Sequence, residues 1–249
     1  MCSMKKNFNT SKHNDHFKIK PLNDTYKGHE PNKDFNLDEH ADRKKKSQES
    51  LKNSFPDNIL FLIRINKSAG TAIHNYLHGN GIDYFSHEIM WRPKEFIYQC
   101  INEPAYRMFT CVRNPWSRAF SSYTFTFRYL PNQQPTFREF LEMPFEDMID
   151  LEPDPKFVYH HCKPQLDFIT DENGSIDYLE HIGRTENIQD TCNWICETAG
   201  VTENFKIEMI NSQHRKTIDY KKYYDDYCKK LVAKKYEQDI DTFKYTFDT

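Results

Sequence analysis

The chain has 249 residues, 29% of them charged, and a net charge of -3, which suits one large α/β domain with a tail. So near-neutral a balance excludes a protein that coats nucleic acid or a membrane surface, and any basic site must be local.

Residues 1–55 are rich in Lys, Asn, Asp, His and Ser and end in Asp42-Arg-Lys-Lys-Lys-Ser-Gln-Glu-Ser50. Such a composition buries too little apolar surface to offset its ordering entropy, so a disordered or loosely docked segment is expected, followed by a folded domain over 56–249. The Arg43 to Lys46 run reads as a solvated linker, with attraction of a polyanionic substrate as the other reading.

A nearly continuous apolar run, Ile59 to Ile65, predicts a strand over 58–65 that is covered on both faces of a parallel sheet. Asn66-Lys67-Ser68-Ala69-Gly70-Thr71 follows as a small-residue turn opening a helix over 70–78. A helix N-terminus aims unpaired N–H donors and partial positive charge into such a turn, and Lys67 and the Ser68 and Thr71 hydroxyls add donors. A nucleotide phosphate is the natural occupant. The turn lacks the G-x-x-x-x-G-K-[ST] pattern of ATPases and GTPases.

The next strand, 82–87, ends at His87, an imidazole able to accept a proton near neutral pH, with Glu88 beside it as the second candidate base. A histidine at a strand end can instead be merely hydrogen-bonded in place. A helix over 93–101 leads to a strand over 105–113 and a long helix over 115–129, opened by Pro115 in the first turn, where a missing N–H costs nothing. Arg113 thus lies at the carboxyl end of its strand and Ser121 about two turns along the helix, a guanidinium and a hydroxyl suited to a second phosphate. Lys67, His87 and Arg113 all fall where ligands collect in open α/β sheets.

The proline-bearing stretch from Pro131 to Pro155 reads as an irregular, partly helical excursion, and Arg128, His160, His161 and Lys163 on either side of it could line an acceptor pocket. Short strands near 166–184 and a helix over 187–199 are expected next. The last 30 residues read as helical, with Tyr220, Tyr223, Tyr224, Tyr227, Tyr236 and Phe243 as a core-facing stripe. Alternating strands and helices imply right-handed crossovers, hence a three-layer α/β fold of the P-loop type, its central parallel sheet flanked by helices.

Arg64-Ile-Asn-Lys-Ser-Ala-Gly-Thr71 resembles the 5′-phosphosulfate loop, and Val112-Arg-Asn-Pro-Trp-Ser-Arg-Ala-Phe-Ser-Ser-Tyr123 the 3′-phosphate segment, of sulfotransferases that use 3′-phosphoadenosine 5′-phosphosulfate. Lys163-Pro-Gln-Leu-Asp-Phe168, Ile182 to Ile188 and the tail from Ile218 to Phe247 match as well, so most of 57–249 is covered. The likeness is greatest to carbohydrate enzymes of the heparan sulfate 2-O type; Asn66 stands where members usually carry proline.

The resemblance implies sulfuryl transfer from that donor to a hydroxyl, of a saccharide or of a small alcohol or phenol, by metal-free in-line displacement with release of 3′-phosphoadenosine 5′-phosphate. It also implies roles. His87 or Glu88 serves as base, and Lys67 sits at the bridging oxygen of the donor. Arg64, Lys67, Ser68, Ala69, Gly70, Thr71 and Ala72 line the 5′ site, Arg113 and Ser121 the 3′ site, and Arg184 and Thr185 touch the nucleoside. Glu186 reads as a helix N-terminal carboxylate, and Ser212, His214, Arg215 and Lys216 as a loop closing over the nucleotide. A kinase-like phosphotransferase and a non-catalytic nucleotide- or glycan-binding module are the rival readings; the first requires magnesium and the second binds without turnover.

Seven cysteines in apolar contexts predict reduced thiols. His160-His161-Cys162 and Cys192-Asn-Trp-Ile-Cys196 lack zinc-site pairing and predict no metal. The lack of a signal peptide or of an apolar run of bilayer length predicts a soluble cytoplasmic protein.

Overall fold

A computed structural model describes residues 59–88, 94–127, 134–148, 157–201 and 219–249. The expected loose segment over 1–55, Arg128 and the loop from Ser212 to Lys216 lie outside the described residues.

Four parallel strands, β1 (Ile59–Arg64), β2 (Tyr84–Glu88), β3 (Tyr106–Val112) and β4 (His181–Arg184), form a sheet in the order β2-β1-β3-β4. β1 is central, and its even residues Leu60 and Leu62 face one apolar layer while Phe61, Ile63 and Ile65 face the other. Period-two alternation within a continuous apolar run is what burial on both faces requires.

The first layer holds α1 (Gly70–Gly79), through Ala72, Ile73, Tyr76 and Leu77, and α7 (Ile188–Ala199), through Ile188, Cys192, Ile195 and Cys196. The second holds α2 (Glu95–Cys100), α3 (Pro115–Thr126), α4 (Phe137–Glu142), α5 (Phe157–Cys162), α6 (Leu166–Ile169), α8 (Asp226–Lys235) and α9 (Glu237–Phe243). The three-layer α/β architecture is therefore present.

α3 begins where Asn114 Oδ1 accepts from the N–H groups of Trp116 and Ser117, with Pro115 in the first turn. Such a cap contributes about 1 kcal/mol. Burial of Trp116, Phe120 and Tyr123 contributes roughly 1.5–3 kcal/mol each. Packing thus holds the helix, and the cap sets where it starts.

Two expectations need correction. The run at 166–169 is the short helix α6 rather than a strand, because the Asp239 carboxylate accepts from the backbone N–H of Gln165 at 2.7 Å and of Leu166 at 3.0 Å. That capping partner lies 73 or 74 residues along the chain, invisible to local patterning. In the closing stripe Tyr224, Tyr236 and Phe243 are buried and Tyr220 and Tyr223 pack on the core, but Tyr227 is 48% exposed beneath the Arg138 guanidinium.

β1 sends its chain through α1 to β2 on one side, while β3 lies on its other side and continues into α3 in the opposite layer. The carboxyl ends of β1 and β3 therefore flank the point where strand order reverses, the usual ligand crevice of such sheets.

Candidate active site

The turn between β1 and α1 is built on two non-glycine residues in the left-handed region, Lys67 at φ 67° and Ala69 at φ 62°. Each such residue costs about 1–3 kcal/mol and persists only where surrounding bonds impose it. Those bonds are present. Arg118, 1% exposed, donates Nε–H to the Asn66 carbonyl at 2.9 Å, and Arg113 donates Nη1–H to the Lys67 carbonyl at 3.2 Å. Asn66 Nδ2 donates to the His160 carbonyl at 3.2 Å, which ties the turn to α5. Asn66 is thus held by side-chain bonding on both sides.

No side chain caps α1, whose first intrahelical bond runs from the Ile73 N–H to the Ala69 carbonyl. The N–H groups of Gly70, Thr71 and Ala72 therefore have no partner within the helix, next to a left-handed turn, a concavity suited to an anion. A Cβ on Gly70 would stand 3.1 Å from Arg64 Nε, so the glycine lets Arg64 lie across the helix start, where its Nη2 reaches Thr71 Oγ1 at 3.4 Å.

The Ser68 hydroxyl is placed differently from expectation. Ser68 is 1% exposed, and its Oγ–H donates inward to Gln165 Oε1 at 3.1 Å instead of turning toward a phosphate.

Beyond β3, Arg113 Nε donates to Ser117 Oγ at 2.9 Å. Burial pushes the Arg113 guanidinium below its ordinary pKa, with the Glu186 carboxylate opposing that shift. The bond to Ser117 was not foreseen. Ser121 lies one turn farther along the same face, and Phe125 one turn beyond that. A spacing of four from Arg113 through Ser117, Ser121 and Phe125 is the signal that marks Ser117. Lys67 Nζ lies over the Phe125 ring, 3.7 Å from its centroid, and the His161 ring stacks on that ring at 5.0 Å.

His87 pairs with Ile63 and so faces the layer that contains α3. It is 1% exposed and stacks on Phe96 with ring centroids 6.1 Å apart. Glu88 pairs in backbone register with Arg64; its side chain lies outside the described residues. Lys163 is buried over the Phe168 ring, 4.3 Å from its centroid, and burial pushes its ammonium pKa down to about 8 while Asp167 opposes the shift. Carbonyls of His160, His161 and Lys163 accept from Asn66, Ser122 and Arg118 respectively, so this segment runs directly beside the β1 turn.

The segment after β4 turns toward the C-terminal end. Arg184 Nη2 donates to the Phe243 carbonyl at 2.6 Å and its guanidinium covers the Tyr245 ring, while Thr185 Oγ1 donates to the Val112 carbonyl at 3.1 Å. Glu186, in the first turn of the short 3-10 helix Thr185–Asn187, accepts from the Asn114 N–H at 2.8 Å and the Tyr245 hydroxyl at 3.1 Å. Asn114 Nδ2 donates in turn to the Thr246 and Thr249 carbonyls.

Two turns flank the switch point, one bearing Lys67 and the other Arg113, and together they bring helix N–H donors and two cationic side chains to one crevice. A family model described as "Sulfotransferase family" matches residues 3–246. The chain belongs to the sulfotransferase family. Membership makes sulfuryl transfer its class of chemistry. No curated protein and no solved structure matches this sulfotransferase. Among the described residues, no helix is long and apolar enough to cross a membrane, and no three His, Cys, Asp or Glu side chains gather as a metal site.

Proposed function

We propose that this sulfotransferase moves a sulfuryl group from 3′-phosphoadenosine 5′-phosphosulfate to a hydroxyl of a saccharide. The observation that carries the reading is the link between the two turns: Arg113, which would grip the 3′-phosphate, also donates to the Lys67 carbonyl. The N-terminal N–H groups of α1 and the Lys67 ammonium are suited to the phosphosulfate. Lys67 rests on Phe125 and can swing to the bridging oxygen, where charge develops as the sulfur–oxygen bond breaks.

In this reading the acceptor oxygen forms a new bond to sulfur, the bond from sulfur to the donor phosphate oxygen breaks, and the acceptor proton passes to His87. Two cationic side chains supply the positive charge, so the reaction as drawn needs no metal. Arg184 and Thr185 would approach the nucleoside, and the segment from His160 to Lys163, with His161 stacked beside Lys67's aromatic support, would border the acceptor.

Thermal stabilisation tests the donor assignment, because a ligand of the native state raises apparent stability by mass action. 3′-Phosphoadenosine 5′-phosphate should stabilise the protein without magnesium, and more than ATP, AMP or adenosine 5′-phosphosulfate at equal concentration. A preference for magnesium-ATP would overturn the reading in favour of a phosphotransferase.

A further inference from the structure

Gln165 has no exposed surface, and its carboxamide bonds to both turns at once. Oε1 accepts from Ser68 Oγ at 3.1 Å and from the Arg113 backbone N–H at 2.8 Å, while Nε2 donates to the Arg113 carbonyl at 2.9 Å. Toward Arg113 the side chain therefore acts as a peptide unit would, pairing both backbone groups of the first residue beyond β3. Toward Ser68 it fixes the residue between the two left-handed positions.

Gln165 is itself anchored from behind. Its backbone N–H donates to Asp239 Oδ2 at 2.7 Å, and Asp239 has no exposed surface either. Burial raises the Asp239 carboxyl pKa, an effect opposed by the two backbone N–H donors from Gln165 and Leu166. Two residues earlier, the Lys163 carbonyl accepts from Arg118 Nη1, the same guanidinium whose Nε holds the Asn66 carbonyl. One rigid strut thus runs from α9 through Gln165 to the ends of β1 and β3.

We propose that Gln165 is a positioning residue that sets the spacing between the two turns, so that one nucleotide can engage both with its two phosphates. This rests on the donor reading above. A ligand with two anchors gains its second contact intramolecularly only if both receptors stand at the matching distance, and small displacements cost the second contact first. Each turn keeps its own N–H groups and cation without Gln165, and the Arg113–Lys67 bond remains; what goes is the buried carboxamide that fixes the Arg113 backbone against Ser68. A residue that served stability alone would weaken all ligands together.

Calorimetric titration of 3′-phosphoadenosine 5′-phosphate and of AMP into wild type and Gln165→Met separates these cases. Gln165→Met should weaken the bisphosphate about tenfold more than AMP, which has only the 5′ phosphate, since it deletes three buried hydrogen bonds. Equal weakening of both ligands, or of neither, overturns the positioning role. If Gln165→Met fails to fold, Ser68→Ala severs the strut at its other end and should lower the same ratio by about threefold, as one lost hydrogen bond allows; an unchanged ratio overturns the role. A wild-type protein that binds AMP as tightly as the bisphosphate overturns the donor reading, and the proposal with it.

Discussion

Lys67 carries two burdens. It holds a left-handed backbone and places its ammonium on Phe125, a cation–π contact contributing about 0.5–1 kcal/mol. Lys67→Ala should therefore cost little stability and keep the melting temperature close to wild type, while turnover falls at least about 100-fold if the ammonium offsets leaving-group charge. Near wild-type turnover would remove it from the mechanism. His87 is buried and stacked, so truncation to Ala would confound chemistry with a cavity. His87→Asn is the better variant: turnover should fall about 10²–10⁴-fold, and the acid limb of the pH–rate profile should disappear if the imidazole is the base. Lys163 offers a contrast. Its pKa drops from an ordinary 10.5 to about 8 on burial, so between those values the unfolded chain binds more protons and stability rises with pH. Below about 8 both states are charged and the full penalty applies. Lys163→Met should then stabilise the protein at pH 7 by about 2 kcal/mol, with the gain shrinking toward pH 10, as urea midpoints at both pH values would show. A stability gain accompanied by loss of transfer would place Lys163 in the acceptor site.

Among the elements, β4 and α7 approach closely at Gly183. A Cβ on Gly183 would fall 1.8 Å from Thr191 Oγ1 and 3.0 Å from Thr191 Cβ, so glycine is required by proximity rather than by φ. Gly183→Ala should destabilise by about 3 kcal/mol, with Thr191→Ala restoring part of the loss in a double-mutant cycle read by denaturant unfolding. The elements that frame the crevice were legible in the chain. β1, β3, α1 and α3 announce themselves through apolar runs ending in a small-residue turn or in Asn-Pro, all local signals. α6 was not, because its Leu-Asp-Phe-Ile run fits strand or helix equally and the Asp239 cap that decides between them lies in α9. The candidate site divides in the same way. Lys67 and Arg113 could be placed from strand ends, whereas the inward turn of Ser68 depends on Gln165, and the bonds of Arg184 and Glu186 on Phe243 and Tyr245, partners brought close only by tertiary packing.

For the molecule as a whole, the donor assignment predicts a ligand effect of definite size. At 100 times its dissociation constant, 3′-phosphoadenosine 5′-phosphate should add about 2.7 kcal/mol, a rise of roughly 5–10 °C in melting temperature for a domain of this length. Gln165→Met should show a smaller rise than wild type at the same concentration. The order of strands has a further consequence, one of time. Each pairing is parallel, and β4 joins β3 only after residues 113–180, which carry α3, α4, α5, α6 and Gln165, have been laid down. During synthesis the two turns at β1 and β3 emerge first, Gln165 follows 52 residues after Arg113, and Asp239 another 74 residues later. A growing chain can expose its lysine and its arginine, yet the strut that holds them in register is incomplete until Asp239 has left the ribosome.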